Sequence, residues 1–208
     1  MEGISTVQQT AKKNRYGISV AIITWISLIL QFCITDISFI NFFSYFTILS
    51  NLLIALCLTL SILMPNTKAG SFFSKLSVQT SIALYIFIVS LVYNTALRGI
   101  VTLTGIAWMI DNMVHVVVPF LYIVFWILCK PAGVLKWKNG LSWALFPIFY
   151  LTYSMIRGHI VGWYPYPFLN AIELGYPRVI LNVIIMIVVF VLAGLILIAL
   201  TKRLKKAG

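Results

Sequence analysis

Six long runs of apolar side chains divide the sequence and constrain its fold more than any other feature. They cover residues 17–34, 45–64, 76–97, 111–129, 141–157 and 178–200. Each run approaches or exceeds the ~20 residues that an α-helix needs to cross a bilayer. A mean hydropathy of +1.04 excludes a soluble domain of 208 residues, which could not bury so much apolar surface. We therefore predict an all-α, six-helix membrane protein that forms a single domain over residues 1–208.

The basic residues are placed unevenly between these runs. Of the 15 Lys and Arg residues, 12 fall before the first run, between the second and third, between the fourth and fifth, or after the sixth. They are Lys12, Lys13, Arg15, Lys68, Lys75, Lys130, Lys136, Lys138, Lys202, Arg203, Lys205 and Lys206. The positive-inside rule then predicts a multi-pass protein of the cell membrane with both termini in the cytoplasm. The net charge of +11 is explained by topology and by contact with anionic membrane lipids, so no nucleic-acid partner is predicted.

The polar residues of the apolar runs gather at the opposite, predicted outer, ends. Ionisable groups within a membrane are costly and usually face other helices or water, so we expect a polar cavity in the outer half of the bundle. The members of this group that could act on a substrate are Thr47, Asn51, Asn94, Arg98, Asp111, His115, Tyr153, Arg157 and Arg178.

Asp111 and His115 are the pair with the most specific spacing. Residues i and i+4 share a helix face, so the carboxylate can orient the imidazole. Thr47 is predicted at the same depth, each of Thr47 and His115 being about 6 Å below the start of its helix. A hydroxyl, an oriented imidazole and a carboxylate form an acyl-transfer constellation. Three simpler interpretations stand beside it: Asp111 could cap its helix, His115 could bond another helix, and Thr47 could bond its own helix carbonyl.

The segment WYPYPF, Trp163–Phe168, is the most distinctive part of the predicted outer loop 157–178. Trp and Tyr prefer the membrane interface, and proline stiffens a turn, so the segment could simply anchor the loop. It could instead form a wall of an apolar binding pocket, with Trp163 and Tyr166 contacting the substrate.

Three segments carry a family resemblance: SYFTILSNLL (Ser44–Leu53), HVVVPF (His115–Phe120) and YLTYSMIRGHIVGWYPYPFLN (Tyr150–Asn170). They resemble a family of bacterial six-helix integral membrane proteins, itself similar to the eukaryotic androgen-induced membrane protein family. That family includes the androgen-dependent regulator of tissue factor pathway inhibitor. The resemblance implies a threonine hydrolase that cleaves fatty acid esters of hydroxy fatty acids. It implies Thr47 as the nucleophile and His115 as the base.

The sequence therefore leads to one favoured function and two alternatives. The favoured function is hydrolysis of a lipid or fatty-acyl ester, in which Asn51, Asn94, Tyr153 or an arginine stabilises the oxyanion. One of the arginines Arg98, Arg157 and Arg178 would hold a carboxylate of the substrate. The alternatives are a transporter or channel for a small solute or lipid, and a non-enzymatic membrane scaffold. No metal or organic cofactor is implied, and no oligomeric state is predicted.

Overall fold

The computed structural model describes the backbone of residues 2–206 and the side chains of residue 8 and residues 11–203. All regular secondary structure in this part of the chain is helical. The helices are α1 (Glu2–Ile34), α2 (Phe39–Phe42), α3 (Phe46–Leu63), α4 (Lys68–Phe73), α5 (Leu76–Val92), α6 (Gly105–Asn112), α7 (Val118–Cys129), α8 (Lys138–Val161) and α9 (Ala171–Lys206). A π turn, Tyr93–Leu97, follows α5, a second, Met113–Val117, joins α6 to α7, and Pro167–Leu169 is a 3₁₀ turn. The all-α prediction is confirmed.

Five helical segments are long and apolar enough to cross a membrane. They are Ala11–Ile34, Phe46–Leu63, Leu76–Leu97, Gly105–Cys129 and Ala171–Arg203. Helix α8, at 24 residues, has the length but is not among them. Its second half carries the polar side chains Thr152, Ser154, Arg157 and His159.

Several helix ends differ from the prediction. Helix α1 already includes Lys12, Lys13 and Arg15, which the prediction placed before it. Helix α6 begins at Gly105, six residues before the predicted run 111–129, and α4 lies between the predicted runs 45–64 and 76–97. The predicted loop 157–178 is shorter, because α8 continues to Val161 and α9 starts at Ala171. These segments mix polar and apolar residues, so a search for continuous apolar runs ends too early at each of them.

Helix α9 is interrupted near its start. Gly175 adopts a φ of 71° and a ψ of 154°, and Pro177 follows two residues later. Glycine accepts this positive φ without a Cβ clash, and proline cannot donate a backbone hydrogen bond into the helix. The predicted start at residue 178 therefore corresponds to the beginning of the regular part of α9, after the kink.

The described chain groups into two compact units. The first contains Met1–Asp36 and Thr47–Ala132, and the second contains Ile37–Phe46 and Gly133–Gly208. The side chains of Lys205 and Lys206, two of the predicted cytoplasmic basic residues, lie outside the described part. The prediction of one domain over residues 1–208 stays a prediction.

The first unit is built around α5 and α7. Helix α7 packs against both α1 and α5, and Leu84, Ile86 and Trp126 are fully buried. The indole nitrogen of Trp126 donates to Thr80 Oγ1 on α5 at 2.9 Å. On α1, Trp25 donates to Thr59 Oγ1 of α3 at 3.1 Å. These hydrogen bonds fix the position of each helix along its neighbour. Apolar packing between membrane helices specifies that position less well.

The second unit joins α2 and the residues after it to α8, α9 and the connection between them. The phenol of Tyr150 donates to the Ser44 carbonyl at 3.0 Å. Gly158 faces the ring of Tyr164 so closely that a Cβ at this position would overlap the ring. Asn182 on α9 donates to the Phe168 carbonyl at 2.9 Å, which ties the helix to the WYPYPF segment.

Candidate functional site

The centre of the candidate site is the pair of Asp111 and His115 in the first unit. His115 Nδ1 lies 3.1 Å from Asp111 Oδ1 and 2.9 Å from the Asp111 carbonyl oxygen. Both neighbours are acceptors, so Nδ1 must carry the proton and donate to them. In the neutral ring this leaves Nε2 with a free lone pair, which is the arrangement that a general base requires. Their side chains retain 15% and 13% exposure for His115 and Asp111, so the pair is largely shielded from water.

The interpretation of Asp111 as a helix cap is wrong. Helix α6 begins at Gly105, with Thr104 at the N-cap position. Asp111 therefore lies about two turns into the helix, beyond the reach of the first free N–H groups. Its carboxylate instead accepts hydrogen bonds from two side chains, one of which is His115.

The second donor is Tyr93, at the start of the π turn that follows α5. Its phenol donates to Asp111 Oδ2, while its ring stacks on the imidazole of His115. The ring centroids are 4.0 Å apart and the ring planes differ by only 12°. Tyr93 thus holds both members of the pair at once. Tyr93 was not predicted from the sequence, because a tyrosine near a helix end is also typical of the membrane interface and no spacing connects residues of different helices.

The two π turns lie directly at this cluster, and proline accounts for one of them. Pro119 has no N–H, so it cannot donate to the carbonyl of His115 four residues earlier. The backbone widens there, and Val118 N donates to Met113 O across five residues. Such wide turns are rare and are often found at functional sites. The spacing of His115 and Pro119 was visible in the sequence, and it is the signal that could have predicted the distortion.

Asn51 connects Thr47 to the segment that carries His115. Its side chain is fully buried, and Nδ2 donates to the Thr47 carbonyl at 2.9 Å and to the Val114 carbonyl at 3.0 Å. The Val114 carbonyl oxygen has no backbone donor in the helix, because the N–H of Val118 donates to Met113 O and Pro119 has no N–H. It can therefore accept the hydrogen bond from Asn51. Because one nitrogen binds both carbonyls, Thr47 and the residue preceding His115 are held as close neighbours.

The prediction that Thr47 and His115 lie equally far from their helix starts is wrong, because the helical segment that carries His115 begins earlier than predicted. Thr47 is the second residue of α3, whereas His115 lies about three turns after Gly105. Equal distance from the helix starts is therefore not what relates them. The hydrogen bonds of Asn51 do so instead, and they engage both hydrogens of its amide. In this arrangement Asn51 is an interhelical connector, and an oxyanion role would require it to release one of these bonds.

The remaining candidates of the first unit lie at the edge of the cluster. Arg98 donates from Nη2 to Asn112 Oδ1 at 2.9 Å, and its guanidinium lies 5.3 Å from the centroid of the Tyr93 ring. Asn94 is exposed and donates to the Ser90 carbonyl of its own helix at 2.7 Å. Arg98 thus brings a positive charge near the Asp111 carboxylate.

The other candidates belong to the second unit. Tyr153 shares a hydrogen bond of 2.8 Å with Ser44 Oγ. Trp163 and Tyr166 both pack edge-on against Tyr45, with centroid distances of 5.7 and 5.6 Å. The two remaining candidates, Arg157 and Arg178, lie on α8 and α9 of this unit, and Arg178 is exposed.

Comparison with known proteins adds no relative. The chain matches no family model, no characterised protein and no solved structure. The interpretation of the site therefore depends on the residues and their geometry.

The chemistry that the first unit offers is proton transfer. Among the described side chains, no group of three or more His, Cys, Asp or Glu residues is placed to hold a metal ion. What is present is an imidazole with one nitrogen bonded to a carboxylate, stacked on a tyrosine and connected through Asn51 to a buried threonine. This set corresponds to the base and orienting group of a nucleophilic hydrolase.

Proposed function

We propose that the protein is a membrane-embedded lipid ester hydrolase that uses Thr47 as nucleophile and His115 as general base. One observation carries the proposal: the Nδ1–H of His115 is held by Asp111, which leaves Nε2 free to accept a proton. A structural histidine needs only one hydrogen bond. Here Asp111 and Tyr93 together fix both its tautomer and its ring plane, which is typical of a catalytic imidazole.

The reaction would follow the usual two steps of acyl transfer. Thr47 Oγ1 attacks the ester carbonyl as its proton passes to His115 Nε2. The tetrahedral intermediate collapses, His115 returns the proton to the departing alcohol, and the acyl group remains on Thr47. Water then attacks this acyl ester with His115 again as base, and the carboxylic acid is released. Throughout, the Asp111 carboxylate stabilises the positive charge on the imidazole.

An apolar substrate fits the location of these residues. Thr47 and His115 lie in two of the segments that are long and apolar enough to cross a membrane. We therefore expect a lipid-borne ester as the substrate of this site. The proposal includes six membrane-spanning helices, namely the five segments named above and α8. It also places both termini in the cytoplasm, as the positions of the basic residues indicate. It also includes membership of the family that the sequence resembles, with fatty acid esters of hydroxy fatty acids as one substrate class.

Release of fatty acid by the purified protein in nanodiscs tests the proposal. A panel of lipid esters, including fatty acid esters of hydroxy fatty acids, would be compared for wild type, Thr47→Ala and His115→Ala. We expect each variant to lose about a hundredfold or more of the activity. Thr24→Ala is the matched control, because Thr24 is also a buried helical threonine and bonds its own helix carbonyl at 2.7 Å. Cleavage of no ester, or equal cleavage by Thr47→Ala and wild type, would contradict the proposal.

A further inference from the structure

Arg157 of the second unit is a half-buried cation with an unusual set of neighbours. Its guanidinium lies 4.9 Å from the centroid of the Trp163 ring, and its Nη2 donates to Asn41 Oδ1 on α2. Trp163 provides a flat surface for the guanidinium, and Asn41 fixes its rotation about the side-chain axis. The guanidinium is therefore pre-oriented by two neutral groups.

No negative charge accompanies this cation. In the described chain the only pairing of a carboxylate with a basic side chain is that of Asp111 with His115. Arg157 Nη1 is buried and lacks an acceptor among the described residues. A buried N–H without an acceptor is costly, and the cost is larger when the group is charged. The amide nitrogen of Asn41 adds further donors, since the bond to Arg157 uses only the oxygen of that amide.

The other two candidate arginines differ in this respect. The guanidinium of Arg98 is bonded to Asn112 and lies beside the Tyr93–Asp111 pair, so a carboxylate is already near it. Arg178 is exposed and can be hydrated. Only Arg157 combines a fixed orientation, partial burial and a donor that still needs an acceptor.

We propose that Arg157, Asn41 and Trp163 form a binding site for one oxyanion group, a carboxylate or a phosphate. A guanidinium presents its N–H donors in a plane that matches the oxygen spacing of both groups. The source of the group is either a lipid that carries it or a free anion. The site lies entirely within the second unit and does not rest on the proposed hydrolase, which uses residues of the first.

Binding to the full-length protein in phosphatidylcholine nanodiscs tests this site. Dodecanoate and dodecyl phosphate serve as lipid-borne oxyanions, dodecanol as the uncharged chain, and acetate and inorganic phosphate as free anions. Dissociation constants would be compared between wild type, Arg157→Gln and Arg178→Gln. The last variant removes the same charge from an exposed position of the same unit, so it measures non-specific attraction.

We expect Arg157→Gln to weaken oxyanion binding by about 10- to 100-fold, as loss of a charge-assisted hydrogen bond implies. Arg178→Gln should change it by less than about twofold, in line with a solvent-screened charge. Binding of dodecanoate or dodecyl phosphate but of neither free anion would assign the site to a lipid. Comparable binding of acetate or inorganic phosphate would assign it to a soluble anion.

A second variant keeps the test decisive if Arg157→Gln does not fold. Asn41→Asp places a carboxylate of the same shape against the guanidinium and should satisfy Arg157 internally. We expect this variant to unfold at the same or a higher temperature and to lose oxyanion binding at least tenfold. The proposal is overturned if Asn41→Asp binds as wild type does, if Arg178→Gln loses as much as Arg157→Gln, or if dodecanol binds as tightly as dodecanoate.

Discussion

Replacing Asn51 with leucine should reveal the connection between Thr47 and the His115 segment. Leucine has a similar size but donates no hydrogen bond, so the Val114 carbonyl oxygen loses the donor that Asn51 Nδ2 provides at 3.0 Å. No backbone N–H can replace that donor, because Val118 N donates to Met113 O and position 119 is proline. Leaving one buried carbonyl unsatisfied costs about 1–3 kcal/mol.

Two effects reduce this cost. Leucine also removes Asn51 Oδ1, a buried acceptor that has no partner among the described side chains. Hydrogen bonds between membrane helices are worth about 0.6 kcal/mol on average, because the unfolded chain in the membrane finds other partners. We therefore expect Asn51→Leu to lower the free energy of unfolding by about 1 kcal/mol. Equilibrium unfolding in mixed micelles would measure it.

A double-mutant cycle with Pro119→Ala makes the test specific. Alanine restores an N–H at position 119, so the backbone can satisfy the Val114 carbonyl without Asn51. The cost of Asn51→Leu should then fall below about 0.5 kcal/mol, which gives a coupling of roughly half a kcal/mol or more between two residues of different helices. Equal costs in the two backgrounds would refute the explanation of the π turn and of the role of Asn51.

Two further predictions concern one contact within the first unit and one contact within the second. Tyr93→Phe keeps the ring but removes the O–H that donates to Asp111, so we expect unfolding to become easier by about 1 kcal/mol and ester hydrolysis to slow several-fold. Unchanged values of both would show that the phenol does not hold the carboxylate. Gly158→Ala would push a methyl group into the Tyr164 ring and should destabilise the protein by about 1–3 kcal/mol. Gly140→Ala on the same helix has its nearest contact at 4.0 Å and should be neutral or stabilise by up to about 1 kcal/mol, so equal effects of the two alanines in thermal unfolding would contradict the packing.

The sequence predicted the helices best where apolar residues are continuous. Helix α3 was predicted as 45–64 and is Phe46–Leu63, and the prediction 76–97 matches α5 with its π turn. The fourth run was predicted to start at residue 111, but α6 already begins at Gly105, because the polar pair Asp111 and Asn112 indicated a helix end although it lies inside the helical segment. Hydropathy measures preference for lipid, and α6 shows that a helix can extend beyond the part that lipid prefers.

The part of the site that lies on a single helical segment could be predicted from the sequence. The spacing of Asp111 and His115 is local, so helix geometry was sufficient to predict their contact. The contacts of Tyr93 and Asn51 depend on how neighbouring helices are rotated and shifted against each other. That register is set by many side chains together, including Pro119 through the π turn, and no spacing within one segment encodes it.

Labelling by a fluorophosphonate, which reacts with activated hydroxyl groups, tests the central claim most directly. Wild type, Thr47→Ala, Thr47→Ser, His115→Ala and the control Thr24→Ala would be labelled in native membranes at matched expression and folding. If His115 activates the Thr47 hydroxyl, wild type, Thr47→Ser and Thr24→Ala are labelled and the other two are not. Labelling of Thr47→Ala at the wild-type level, or of no form at all, would contradict the account and make the Asp111–His115 pair a structural contact.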